Sequence, residues 1–444
     1  MNDSRRLNNI QKRLLLLLIT LTLVRGLIYA SVTIPWWAGH DEDFHFAHVR
    51  MWIERWSANG SIEASDWPQE MVAGFEAFPQ HLWSKFSENQ ISFPLERYTR
   101  VRRFSFSYML YALPGRLLLS QNILLQLYAL RVVSVLMTCA TILFAYLSAC
   151  QVFDDSLAMQ ILVPWIIIFA PSFMVTGSTV GDASLAILLS SVIFYLLLLE
   201  IRHFSGWRLA VAWGLTLLAL WTKATTYFLV IVWIILILVA FVWKVNRKYR
   251  LWVGLAGGVF VISSLLFLPS RLKKLLASNV SVLGKVAVSN VFSSVFILNT
   301  FASFWTIVGW SVYRLASIWY ILLLVLLLLA VAGLFVYGWR GLKKSGFSLR
   351  TDGNGLLLAL LFVGAAIVVV LGHSARLAPG RHFGRYLFPA YVPLSLLMVA
   401  GWRALLPPRW QSIGALLIAS FFLLFDTVVL LDYAIPWYYP FWPF

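Results

Sequence analysis

Apolar residues recur along this chain in runs too long for the strands or helices of a soluble core. The first extends roughly from Arg13 to Trp36. Later runs fall at roughly 129–150, 158–176, 182–200, 207–222, 224–243, 251–268, 318–338, 354–373, 387–402 and 411–430. A helix rises about 1.5 Å per residue, so about 20 apolar residues cross the hydrocarbon of a bilayer. In lipid the backbone must satisfy its own N–H and C=O groups, which makes such runs helices. A polar stretch follows the first run and reaches to about Arg103. Residues 104–119 are apolar but short, and Pro114 and Arg116 interrupt them. The pattern predicts an all-α, polytopic membrane protein with about eleven transmembrane helices and one domain over residues 1–444.

Composition agrees with the pattern. Of 444 residues, 61% are hydrophobic and 12% charged, against about 45–50% and 25% in an ordinary soluble domain. With a mean hydropathy of +0.82, a soluble enzyme, a disordered chain and a disulfide-rich secreted module are excluded. Cys139 and Cys150 share one apolar run, too far apart along a helix to pair. The first apolar run is long enough to stay as a span rather than be cleaved as a signal.

The net charge of +17 in a soluble protein would suggest nucleic acid. In a membrane protein it describes cytoplasmic loops, so no nucleic-acid partner is expected, and membrane lipids are. Arg5, Arg6, Lys12 and Arg13 put the N-terminus inside. If 104–119 lies on the membrane surface as a juxtamembrane helix, four basic clusters fall inside as well. These are Arg202/Arg208, Lys244/Arg247/Lys248/Arg250, Arg340/Lys343/Lys344/Arg350 and Arg403/Arg409. If it spans, all four move outside. The first arrangement predicts two large outer loops, 37–128 and 269–317, and an outer C-terminus where Trp437–Trp442 forms an aromatic belt. The second loop carries Arg271, Lys273, Lys274, Lys285 and Arg314 without an acid, and is expected as an amphipathic or re-entrant segment.

Unusual polar groups collect at the outer edge. In His40-Asp41-Glu42-Asp43-Phe44-His45-Phe46-Ala47-His48, Asp41, His45 and His48 share a helical face. Three readings are open: a helix start capped by acids, a divalent metal site of carboxylates and imidazoles, or a catalytic carboxylate tuned or oriented by a histidine. Near the C-terminus, Arg376, Arg381 and Arg385 gather outside, just before a span. They either snorkel to headgroups or form an anion site, since a guanidinium fork matches phosphate. Arg25 lies inside the first span and needs a partner or an exit to water. Asp426, inside the last span, is expected to pair with a base rather than act in chemistry.

Asp41-Glu42-x-x-His45 after the first span, with Gly384-Arg385-Tyr386-x-x-Pro389 opening a late one, resembles a bacterial branch of the GT-C glycosyltransferases. These are architecturally similar to protein O-mannosyltransferases and the lipid A aminoarabinose transferase. Phe304-Trp305 with Gly309-Trp310, and Gly181-Asp182 at a span start, are weaker points of likeness. The likeness covers most of the chain in layout and about four short motifs in sequence. Unlike larger relatives, the chain shows no soluble C-terminal domain.

The resemblance implies an inverting glycosyltransferase on the outer face of a bacterial cytoplasmic membrane. Its donor would be a polyprenyl-phosphate sugar, and its acceptor a hydroxyl on a glycan, lipid or protein. It implies Asp41 as catalytic base with Glu42 beside it, His45 and Asp182 as auxiliaries, and Arg385, Arg381, Lys223 and Tyr386 toward the phosphate. No cofactor is certain. A divalent metal (Mg or Mn) stays open, with Asp41, Asp43, His45 and Asp182 as its donors. The competing class is a transporter or flippase of a lipid-linked or phosphorylated sugar, with intramembrane charges such as Arg25 and Asp426 lining a path. No internal repeat supports that class, and the ionisable residues crowd one edge.

Overall fold

The computed structural model describes residues 8–33, 41–57, 105–242, 294–306, 314–345, 351–374 and 384–439. Every regular element among them is a helix. In chain order these are α1 (Asn9–Ile28), α2 (Glu42–Ser57), α3 (Phe106–Leu117), α4 (Ile123–Val152), α5 (Leu157–Ile168), α6 (Pro171–Ser178), α7 (Ala183–Arg202) and α8 (Gly206–Thr222). There follow α9 (Phe228–Val242), α10 (Ser294–Trp305), α11 (Ser317–Ser345), α12 (Thr351–Ser374), α13 (Tyr391–Leu405), α14 (Gln411–Val428) and α15 (Ile435–Tyr438). A 3-10 turn, Gly384–Ala390, leads into α13, and π-helical turns close α1 (Tyr29–Thr33) and α14 (Val429–Ala434).

Among the described residues, seven segments are long and apolar enough to cross a membrane: Asn9–Ser31, Ile123–Val152, Ala183–Arg202, Ser317–Gly341, Gly353–Gly372, Gly384–Leu405 and Pro408–Tyr438. The chain is a multi-pass, all-α membrane protein. Each of these segments falls on an apolar run of the sequence. The run at 158–176 is instead a pair, α5 and α6, bent by 64°. Proline is the cause: Pro171 opens α6, and Ala170 before it is extended (φ −96°, ψ 106°) because a residue preceding proline is pushed out of the helical region. The runs at 207–222 and 224–243 form shorter helices, α8 of 17 residues and α9 of 15. The run at 251–268 lies outside the described residues, as do most of the two large loops.

Helix α3 has 12 residues, about 18 Å of rise, which is too short to span. It buries Tyr108, Tyr111 and Ala112 and exposes Leu113 and Leu117. Tyr111 Oη meets Ser134 Oγ at 2.6 Å, and Ser134 in turn donates to the Thr179 carbonyl at 2.9 Å. Burial pushes the Tyr111 phenol up to about 12, so it stays protonated. Helix α3 is thereby tied to α4 and to the turn before α7.

Small residues allow the tightest crossing, between α11 and α13. A Cβ on Gly333 would strike the Gly401 carbonyl, and one on Gly401 would strike that of Ala330. Across the bundle, the charge inside the first span has its partner in the last. Arg25 Nη2 pairs with Asp426 Oδ2, and the Tyr29 hydroxyl donates to Asp426 Oδ1 at 2.9 Å. The guanidinium also lies over the Phe169 ring, 4.5 Å from its centroid.

The two ends of the bundle differ in chemistry. At one end Gln11 Nε2 donates to Gln160 at 3.1 Å, Arg202 donates to the Gln151 carbonyl, and Arg403 grips Asp155. That hydrogen-bonded pairing holds the Asp155 carboxyl below its usual range. The other end holds Asp41, Glu42, His45, His48, Asp182 and Arg385. Helix α4 joins the ends with 30 residues, about 45 Å of rise. Cysteines placed at the exposed Asn122 and Asp154, with Cys139 and Cys150 replaced by Ala, should therefore react with an impermeant maleimide from opposite sides of the membrane. Labelling of both from one side would mean that α4 does not cross.

Candidate functional site

The first part of the site is the start of α2. His45 N–H donates to the Asp41 carbonyl at 2.9 Å, the first turn of the helix. Asp41 itself has φ 53°, the only positive φ among described non-glycine residues. Its side chain is 36% exposed and turns toward Arg385, with Oδ2 3.7 Å from Nη2. Asparagine and aspartate tolerate this left-handed region better than most residues, because their short polar side chains bond locally.

Glu42 turns inward. Its two oxygens accept from Arg131 Nε at 2.8 Å and Nη2 at 2.5 Å, a fork with both side chains 0% exposed. Oε1 also accepts from the Val180 N–H at 2.9 Å. Arg131 Nη1 donates to the Ala30 carbonyl at 2.5 Å, in the π turn that ends α1. Four segments, the end of α1, the start of α2, α4 and the turn before α7, are joined here around one buried ion pair.

One helical turn on, His45 Nδ1 meets the Tyr108 hydroxyl at 2.8 Å, and its Nε2 lies 3.9 Å from Asp182 Oδ1. His48 stacks on the same tyrosine at 4.9 Å between centroids. Asp182 precedes α7, is buried, and forms an ion pair with Lys223, which stands between α8 and the 3-10 turn Ala224–Tyr227. The carboxylate is thus shared between an ammonium and an imidazole edge.

The turn Gly384–Ala390 brings the remaining groups. Gly384 N–H donates to Ser303 Oγ at 2.7 Å, and a Cβ there would collide with the Thr300 carbonyl and Phe304. Only glycine allows this approach, and it seats the Gly384–Ala390 turn against α10. Phe304 also packs edge-on against Phe388 and Tyr391. The aromatic pair Phe304-Trp305 and the Gly384-Arg385-Tyr386 segment are therefore one packing unit. The Arg385 guanidinium lies over the Tyr386 ring, 5.8 Å from its centroid.

Asp41, Glu42, His45, Asp182, Lys223, Arg385 and Tyr386 converge at one end of the bundle. The carboxylates of Asp41, Glu42 and Asp182 are faced by Arg385, Arg131 and Lys223 respectively. Arg381 and the Asp43 side chain lie outside the described residues. Among those described, no three His, Cys, Asp or Glu side chains come together as a metal site. Sequence reasoning missed Arg131 and Tyr108. The available signal for Arg131 was a charge inside an apolar run, which demands a buried partner. Nothing local marked Tyr108.

Such an arrangement can accept a proton at a partly exposed carboxylate and hold an anion on guanidinium, ammonium and phenol donors a short distance away. No protein-family model matches the sequence, and no curated protein is significantly similar to it.

Proposed function

We propose that the chain is a membrane-embedded group-transfer enzyme whose acid and anion site lies at one end of its spans. More particularly, it is a GT-C-type inverting glycosyltransferase that takes its sugar from a polyprenyl-phosphate carrier. The carrying observation is the approach of Asp41 to Arg385 at 3.7 Å, with Tyr386, Lys223 and Asp182 around them. A displacement at a sugar carbon needs a base and a phosphate site at the same end of the bundle, with the sugar ring between them during transfer. In this reading the layout has eleven spans, with the site on the outer face of a bacterial cytoplasmic membrane.

The acceptor hydroxyl oxygen attacks the anomeric carbon as its proton passes to Asp41. The carbon–oxygen bond to the carrier breaks, and its electron pair leaves with the polyprenyl phosphate. Arg385, Lys223 and the Tyr386 hydroxyl meet the negative charge that grows on the leaving oxygen. Attack opposite the leaving group inverts the carbon. The steps above run on protein groups alone; among the described residues the carboxylates of Asp41, Glu42 and Asp182 are each faced by a protein cation. The Arg25–Asp426 pair, with Asp426 fully buried, supports an enzyme over a transporter, because the two charges close on each other instead of lining a path.

The test is donor choice. Purified protein in lipid nanodiscs, given a panel of synthetic polyprenyl-phosphate hexoses and pentoses with hydroxyl-bearing glycan and lipid acceptors, should release polyprenyl phosphate. UDP- or GDP-sugars with the same acceptors should give no product. The phosphate-binding groups sit at the ends of spans, the depth at which a lipid phosphate is presented. Turnover of a nucleotide sugar without any carrier lipid would overturn the assignment.

A further inference from the structure

Asp41 holds its carboxylate toward Arg385 from a backbone turn that few residues adopt. The next residue, Glu42, is clamped by two partners, one of them anchored in turn. Arg131 contributes a two-bond fork, the Val180 N–H bonds Oε1 at 2.9 Å, and Arg131 is itself tied to the Ala30 carbonyl. Both charged side chains are completely buried, so neither is placed to touch a substrate. The chain enters α2 through Asp41 at φ 53°, and a clamp on Glu42 sets both the position and the direction of that entry.

The same clamp reaches the second acid. Val180 stands two residues before Asp182, so the N–H that Glu42 holds belongs to the turn that presents Asp182 to Lys223 and His45. One buried pair therefore fixes the relative placement of two acid-bearing segments that come from opposite halves of the first 200 residues.

We propose that Arg131 is a positioning residue and that Glu42 is its anchor rather than a proton-transfer group: the buried fork holds the left-handed turn at Asp41 in register with the Val180–Asp182 turn. This rests on Asp41 being the proton acceptor in the proposed transfer. A misplacement of about 1 Å in a reacting group can cost about 10²-fold in rate, and positioning of that order is what the clamp supplies.

Single substitutions would strand a buried charge, so the informative variant removes both. A buried ion pair replaced by apolar residues of similar volume is often neutral for stability, and Arg131→Met with Glu42→Met makes that exchange. The double variant should melt near the unaltered protein and bind polyprenyl phosphate with similar affinity, because Arg385, Lys223 and Tyr386 are untouched. Its kcat for a polyprenyl-phosphate sugar should fall about 10²-fold with little change in the donor KM. Independently of turnover, amide hydrogen exchange in the peptide covering residues 41–48 should quicken, and exchange in α13 should not.

Where the double variant does not fold, Arg131→Lys keeps the charge, loses the fork and carries the same readouts. Unchanged exchange across 41–48, or a folded variant with normal kcat, would overturn the proposal. Failure of the transfer reading itself would show differently, as absent turnover in the unaltered chain.

Discussion

Asp41→Asn should abolish transfer while leaving the protein folded. A general base contributes about 10²–10⁴-fold in rate, and the amide cannot take the acceptor proton. The substitution is a clean one for physical reasons. Asparagine occupies the left-handed region as readily as aspartate, so φ 53° at this position survives. The side chain is partly exposed, so no buried charge is stranded, and the loosely held contact to Arg385 can still form through the amide oxygen. Unfolding midpoints and polyprenyl-phosphate binding should therefore stay close to those of the unaltered protein. Initial rates of polyprenyl-phosphate release check it. A variant that turns over near normally would return Asp41 to the role of a helix-start acid.

The second large effect is on stability. Arg25→Leu should destabilise the protein by about 3–5 kcal/mol, the usual cost of removing one partner of a buried ion pair. Asp426 is completely buried, and only the Tyr29 hydroxyl at 2.9 Å would remain to it of the bonds described here. The pair joins the first and last spans, so the loss should be felt by the whole bundle. Adding Asp426→Leu should restore most of the stability, because two apolar residues in an apolar setting need no partner. Thermal unfolding in detergent, followed for both single variants and the double, measures the coupling. Equal stability of Arg25→Leu and the unaltered protein would mean that the pair contributes nothing. The double variant has a second use: retained sugar transfer would count against any path for charge through this part of the bundle.

Much of the architecture was legible in one dimension. An apolar run of about 20 residues has one low-energy form in lipid, and the seven long segments stand where those runs stand. The start of α2 at Glu42 follows from acids and spacing alone, and the 12-residue α3 answers to an apolar piece interrupted by Pro114 and Arg116. The bend between α5 and α6 was also written in the sequence, at Pro171, but an unbroken hydropathy profile concealed it. Hydropathy averages over a window, whereas a single residue pushed out of the helical region by the proline after it ends a helix.

Partnership was not legible. Arg25 and Asp426 are 401 residues apart, and either could have met several other polar groups. Arg131 lies inside an apolar run, and nothing near it in sequence points to its partner Glu42, 89 residues away. Asp41 and Glu42 are adjacent and chemically alike, so sequence treated them as a pair of acids. The fold separates them, one turned outward to Arg385 and one inward to Arg131, because a left-handed residue followed by a helix sends successive side chains in different directions. The chain by itself determined which segments are helical and that acids and arginines gather toward one edge, since both follow from local composition and the thickness of a bilayer. Only the tertiary structure decided which charge faces which, because that depends on which helices are neighbours, and helices buried on all sides carry little periodic signal of their neighbours' identity.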